Sequence, residues 1–245
     1  MTQQSNGAIL YRGHSELDGA PIVVIATGLA KASSNAKTGD MIQTWIMRED
    51  IAPHVAIKTG ADSCICGDCP LRGTNGKERG CYVVVHQAPL SVWKAYHRGN
   101  YPELSLSEIK AAGANRAIRL GSYGDPAAVP VAVWKVLTAD AKAWTGYTHQ
   151  WRENDDLQGL CMASADSEQD RDDAVARGWR TFRVKTDDMP MMPNERVCPA
   201  TTVGLDCATC GACKGNASGN TGTIVINVHG SKGVISNASK ALRAA

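Results

Sequence analysis

Between residues 117 and 229 short apolar runs alternate with helical stretches, and this alternation limits the fold more than any other feature of the 245-residue chain. Residues 117–120, 146–151 (GYTHQW), 160–164 (LCMAS), 181–185 (TFRVK) and 223–229 (TIVINVH) read as strands by their β-branched and aromatic content. Residues 127–144 and the charged stretch 167–177 read as helices, the first with Val129, Val133, Val136 and Leu137 on one face. Strands separated by helices pair in parallel through right-handed crossovers. The expected fold is therefore α/β, an incomplete or irregular (β/α) barrel with parallel strands, and an open parallel sheet is the alternative.

The earlier half is less regular. Residues 1–20 are polar and expected to be a loosely ordered N-terminus, leaving 21–245 as one barrel-like domain. The run PIVVIAT at 21–27 reads as a strand. Residues 33–50 fit a helix through Met41, Ile42, Trp45 and Ile46, or a strand through Ile42, Thr44 and Ile46. YVVVH at 82–86 reads as a buried strand and 89–98 as a helix, and Ser105 with Glu108 forms a capping box for a helix over 105–112.

Two glycine-rich segments carry eight of the nine cysteines. The segment CPATTVGLDCATCGACKG brings Cys198, Cys207, Cys210 and Cys213 into one loop. A loop so rich in small residues has no packed face, so something must offset the entropy of ordering it, and the thiols are the groups able to do so, as a metal centre or, less favoured, as a disulfide knot. The C-x2-C-x2-C run, with Cys198 preceding Pro199, resembles iron–sulfur spacing more than the paired knuckles of zinc sites. An upstream C-x-C-x2-C-x11-C segment adds Cys64, Cys66, Cys69 and Cys81 as metal-ligand candidates. One or two 4Fe–4S clusters are expected, with zinc the alternative; the single residue between Cys64 and Cys66 strains binding to one cluster, so a spectator thiol there, or one cluster shared by both loops, is the other reading of the upstream group. Cys161 lies inside an expected strand and reads as a buried apolar residue.

Polar residues gather at the C-terminal ends of the expected strands, which is where ligands bind in parallel α/β folds. His149, Asp125 and His229 are the catalytic candidates among them, with Asp166 and Arg119 nearby in the same pattern. Asp125, between Gly124 and Pro126, equally suits a turn that caps the following helix. A net charge of +2 and the lack of a basic block give no case for nucleic acid. No secretory leader or membrane-length apolar run is visible, and cysteines in a cytoplasmic protein are reduced thiols or metal ligands. The expected partners are a small-molecule substrate or a redox partner protein.

The segments KTGDMIQTW (37–45), GCYVV (80–84), RLGSYGDPAAVP (119–130), GYTHQW (146–151), ASADS (163–167), the CPA…CATCGACKG loop and VHGSK (228–232) together resemble an uncharacterised bacteriophage family, the "gene product eighty-eight-like" group. The resemblance runs from about residue 35 to residue 232. It implies a phage protein of the host cytoplasm with iron–sulfur content, and no particular reaction. A looser likeness is to radical S-adenosylmethionine enzymes, which join a partial barrel to a cysteine-loop cluster and often to a second C-terminal one. The chain departs from them in its C-x-C-x2-C spacing and in a first cysteine loop that precedes YVVVH instead of following a first barrel strand. The expected activity is electron transfer or redox activation of a small molecule. A zinc-stapled binding module and a radical S-adenosylmethionine-type enzyme are the alternatives.

Overall fold

The computed structural model describes residues 5–32, 35–75, 77–216 and 222–244. β1 (Gly7–His14) turns back into β2 (Pro21–Thr27), and the two run antiparallel. Order thus begins well before residue 20, because Ala8, Ile9 and Leu10 are buried against the core; residues 1–4 of the expected loose terminus lie outside the described residues. Residues 22–26 of β2 are fully buried, as an IVVIA run with no polar side requires cover on both faces. β3 (Met41–Arg48) lies antiparallel to β2, so the helix-or-strand ambiguity resolves as strand; Trp45 Nε1 donates to Thr27 Oγ1 at 2.8 Å across the pair.

Parallel pairing starts at β3. β4 (Ala117–Tyr123) lies beside it and β5 (Ala143–Thr145) beside β4, which completes a sheet of order β1-β2-β3-β4-β5. The second sheet contains β6 (Tyr147–Thr148), β7 (Met162–Ala165), β8 (Thr181–Lys185), β9 (Glu195–Val197) and β10 (Thr223–Asn227), all parallel, in the order β6-β7-β8-β10-β9. β5 and β6 are one stretch interrupted at Gly146, whose N–H donates to the Cys213 carbonyl and whose own carbonyl accepts from Met162 N–H. The fold is mixed α/β with parallel strands in both sheets. Among the described residues no barrel closes, since β1 pairs as a strand only with β2, and β9 only with β10.

The β3–β4 crossover holds α1 (Pro53–Thr59), α2 (Ser63–Cys66), α3 (Ala88–His97) and α4 (Leu106–Gly113). Ser105 and Glu108 close the capping box of α4 as expected. YVVVH is not a strand. β3 and β4 pair directly with each other, and the backbone entering it is committed elsewhere, with Gly80 and Cys81 N–H both donating to Leu71 O. The long helix expected over 127–144 is instead a 3-10 turn (Pro126–Ala128) followed by α5 (Val131–Thr138), because Pro130 can join a helix only at its start. α6 (Glu168–Ala176) links β7 to β8. Two short turns, α7 (Pro199–Thr202) and α8 (Cys207–Cys210), lie between β9 and β10, and α9 (Lys232–Ala244) follows β10. No described helix is long and apolar enough to cross a membrane.

α4 and α5 pack so closely that a Cβ on Gly113 would stand 1.9 Å from the Leu137 carbonyl oxygen. Gly113→Ala is expected to cost about 1–3 kcal/mol by forcing the helices apart. A thermal melt checks this, and an unchanged midpoint would mean that the helices separate freely.

Candidate metal centres

All nine cysteines are free thiols. Eight of them sit in the two glycine-rich segments, and the structure sorts those eight differently from the sequence.

Cys198, Cys207, Cys210 and Cys213 line one small cavity with Thr145, Tyr147, Pro199, Leu205 and Ala212. Asp206 caps the α8 turn: its Oδ1 accepts from Thr209 N–H at 2.9 Å and its Oδ2 from Thr209 Oγ1 at 3.0 Å. Three residues apart on a helical turn, Cys207 and Cys210 share a side. The loop is tied down at both ends, Cys207 N–H donating to Lys37 O and Gly146 N–H to Cys213 O. Cys213 packs with Met162 and Ile224, and Tyr147, Phe182, Cys198 and Ala212 surround them. This set therefore lies across the face of the second sheet, and not beyond its carboxyl edge. Burial pushes the Cys213 thiol up to about 12 and raises Cys207 as well.

The upstream set contains three thiols. Cys66, Cys69 and Cys81 neighbour one another, and burial is the main influence raising both Cys66 and Cys81. Cys64 points elsewhere: it is fully buried in the core, with its thiol donating to Ala61 O at 3.1 Å, beside Arg48. The reason is local geometry, because two residues on a helical turn differ by about 200° in direction. Cys64 and Cys66, both in α2, cannot face one centre. Cys64→Ala is expected to leave metal content unchanged and to cost about 1 kcal/mol in packing, whereas Cys66→Ala empties the site. Metal analysis of the two variants tests that division.

The cysteine loop docks onto the ends of β4 and β6. Asp125 N–H donates to Ile65 O at 2.6 Å, and Gln150 Nε2 donates to the carboxylate of Asp68, between Cys66 and Cys69. Gly67 has φ +57°, and a Cβ there would meet Gln150 Nε2 at 2.3 Å, so only glycine permits this approach. The result brings His149 against the loop, on the side of Cys69. His149 Nε2 is 3.4 Å from Asp166 Oδ2, and Nδ1 is 4.0 Å from Asp125 Oδ2. Burial opposes a charge on this imidazole, but Cys69 and Asp166 together hold its pKa well above the ordinary value. Asp125 acts as a cap, accepting from Ala127 N–H at 2.9 Å and from His149 N–H at 2.8 Å. His229 is in a different place, stacked on Tyr82 with ring centroids 5.4 Å apart.

Four buried polar atoms in this region lack a hydrogen-bond partner: Asp62 Oδ2, Arg72 Nε, Arg79 Nη2 and the hydroxyl of Tyr123, a residue only 3% exposed. Arg79 and Tyr123 both neighbour Cys66 and Cys81. Buried donors left open beside thiols suit a sulfur-rich acceptor. A separate cavity of about 440 Å3 opens on Cys69 between this loop and α9, with Arg72, Asn237 and Lys240 in its wall.

A bridge of side chains joins the two sets. Arg119 Nη2 donates to the Tyr82 hydroxyl at 2.8 Å, next to Cys81, and its guanidinium lies 5.6 Å from the Tyr147 ring centroid. Tyr147 reaches the Cys213 thiol. Sequence order gave no hint of this link, because its members come from three distant segments.

As they stand, no three His, Cys, Asp or Glu side chains among the described residues are arranged to hold a metal ion. Loading either set therefore requires its thiols to lose protons and close up. In chemistry both sets fit a thiolate-bound centre, the first by its orphaned donors and the second by four thiols around one cavity. No protein-family model matches the chain, and no curated protein or solved structure does so either.

Proposed function

We propose that the chain is an iron–sulfur redox protein with two 4Fe–4S centres, one on Cys198, Cys207, Cys210 and Cys213 and the other on Cys66, Cys69 and Cys81. The observation that carries this is the convergence of four free thiols from one glycine-rich loop on a single cavity against an apolar sheet face. When bound, such clusters supply one-electron transfer at potentials set by ligation, hydrogen bonding and solvent access. The chain's own residues have definable tasks. The thiolates bind; Met162, Phe182 and Ile224 keep water from the second set. Tyr147 packs against Cys213, and Arg119 holds positive charge beside Cys207 and Cys213. Arg119 also lies between the sets, which suits electron passage from one to the other or delivery to a small molecule in the cavity at Cys69. A phage origin and a cytoplasmic place of action belong to the same proposal and rest on the family resemblance and the reduced thiols.

Iron, sulfide and zinc content of anaerobically purified protein, with an EPR spectrum after reduction, tests this. About eight irons per chain is the expected result for two such clusters; stoichiometric zinc in a colourless protein would replace it with the stapled binding module.

One observation favours a second reading. With YVVVH not a strand, the first cysteine loop follows β3, the first strand of the parallel series, which removes one of the two departures from radical S-adenosylmethionine enzymes. The spacing departure stands. Cleavage of S-adenosylmethionine to 5′-deoxyadenosine under reducing conditions would select this reading.

A further inference from the structure

We propose that Cys66 and Cys69 form a redox-active dithiol, closed to a disulfide by a small disulfide molecule that enters the cavity beside Cys69. A closed pair is unable to ligate the upstream centre, and in that respect alone the inference rests on the two-cluster reading.

Local geometry brings the two residues within bonding range. Gly67, at φ +57° and ψ −132°, takes the first central position of a β-turn that Cys69 N–H closes by donating to Cys66 O at 3.3 Å. The ends of such a turn lie within about 7 Å of each other at Cα, and a disulfide spans about 4.4–6.8 Å. Both thiols are free. Cys69 lines the cavity of about 440 Å3 and Cys66 does not, so an incoming molecule meets Cys69 first. The opposite wall is α9, which is seated tightly: a Cβ on Gly80 would stand 2.6 Å from Ala238 Cα, and Asn237 Nδ2 donates to Arg79 O at 3.3 Å. Arg72 and Lys240 in the wall suit carboxylates, and Asp68 and Glu78 suit ammonium groups. The cavity therefore matches a disulfide that carries both charges, as oxidised amino-acid and peptide thiols do. Cys207 and Cys210 share the spacing, but the cavity they line, of about 20 Å3, admits no such molecule.

The exchange balances between the pair and its oxidant. Cys69, having given its proton to solvent, attacks one sulfur of the molecule RSSR; that S–S bond breaks, and RS− leaves and takes up a proton. Cys66 loses its proton in turn, attacks the Cys69 sulfur of the mixed disulfide and expels the second RS−. Two thiols are oxidised to one disulfide, and one RSSR is reduced to two RSH. In a reducing compartment such a bond is transient and reports the thiol–disulfide balance.

The full-length chain, isolated without added metal, is treated with oxidised glutathione, alkylated and mapped by mass spectrometry. The expected result is one Cys66–Cys69 disulfide per chain with about two glutathiones released. Cys66→Ser retains one glutathione on Cys69, and Cys69→Ser retains none. Lys240→Ala slows the reaction with oxidised glutathione and leaves that with 2-hydroxyethyl disulfide, which is uncharged, at its native rate. Chain loaded with iron beforehand forms the bond only once the iron is removed. Glutathione left on Cys69 of the native chain, or a disulfide to any other cysteine, overturns the pair. A chain that carries iron and forms no bond after its removal also overturns it, and leaves the two-cluster reading intact. Closure at the same rate with and without iron ends the upstream centre and leaves the pair. The mapping uses the native chain, so it holds even if a variant does not fold.

Discussion

Cys207→Ser and Cys210→Ser are each expected to remove about half of the bound iron, from about eight to about four atoms per chain. The centre on Cys66, Cys69 and Cys81 remains. On the proposed reading the loss also loosens the loop from Cys198 to Gly215, whose small residues offer little packing to offset the entropy of ordering it. Limited proteolysis should then cut within this loop, where the loaded native protein resists. Cys161→Ala serves as the control. Cys161 is fully buried and belongs to neither set, so its loss costs packing and no iron. Native iron content in both serine variants would show that the ligands lie elsewhere.

The second large effect concerns stability and involves no metal. Arg183 in β8 and Glu195 in β9 form a bidentate pair, Nε to Oε1 at 2.6 Å and Nη2 to Oε2 at 2.8 Å, with side chains 1% and 0% exposed. Each has further partners: Arg183 Nη2 donates to Pro190 O, and Glu195 Oε2 accepts from Met192 N–H. Glu195→Ala leaves the guanidinium buried without its counter-charge, and removing one partner of such a pair costs about 3–5 kcal/mol. In a chain of this size that lowers the melting midpoint by on the order of 10 °C. The pair also fixes an acid response. Burial works to raise the Glu195 pKa, but the Arg183 hydrogen bonds outweigh it and hold the carboxyl below its usual range. A depressed folded-state pKa contributes stability above the unfolded value of about 4.3, and that contribution is lost as pH falls through the folded value. Native protein should therefore lose melting temperature more steeply than Glu195→Ala as pH drops below about 4.3. Parallel slopes would show that the pair makes no such contribution.

How much could be read in advance varied with the range of the interactions involved. β2 and β8 matched their expected spans because each is a run of five to seven strand-forming residues whose burial no neighbour could reverse. The α4 capping box needed only residues three apart. β1 was missed because its apolar run, Ala8 to Leu10, is short and set among polar residues, so it stands out only once paired with β2. YVVVH failed in the opposite direction: its propensity for strand is strong, but Tyr82 and Val84 are about half exposed and the segment pairs with no strand. At the candidate site, spacing alone grouped the eight cysteines into two segments. The C-x-C spacing pointed to a spectator thiol, but only packing decides that it is Cys64, which turns into the core. Nothing local links His149 to Cys69, which is eighty positions earlier in the chain.

By itself, then, the sequence determined the α/β class, the parallel pairing from β4 onward and the two thiol-rich segments, because each follows from composition and spacing over a few residues. Tertiary structure alone decided that no barrel closes among the described residues, that Cys213 packs on a sheet face, and that Cys64 turns into the core. Those outcomes depend on contacts between segments far apart in the chain, and side-chain direction across such contacts is fixed only once the backbone has packed.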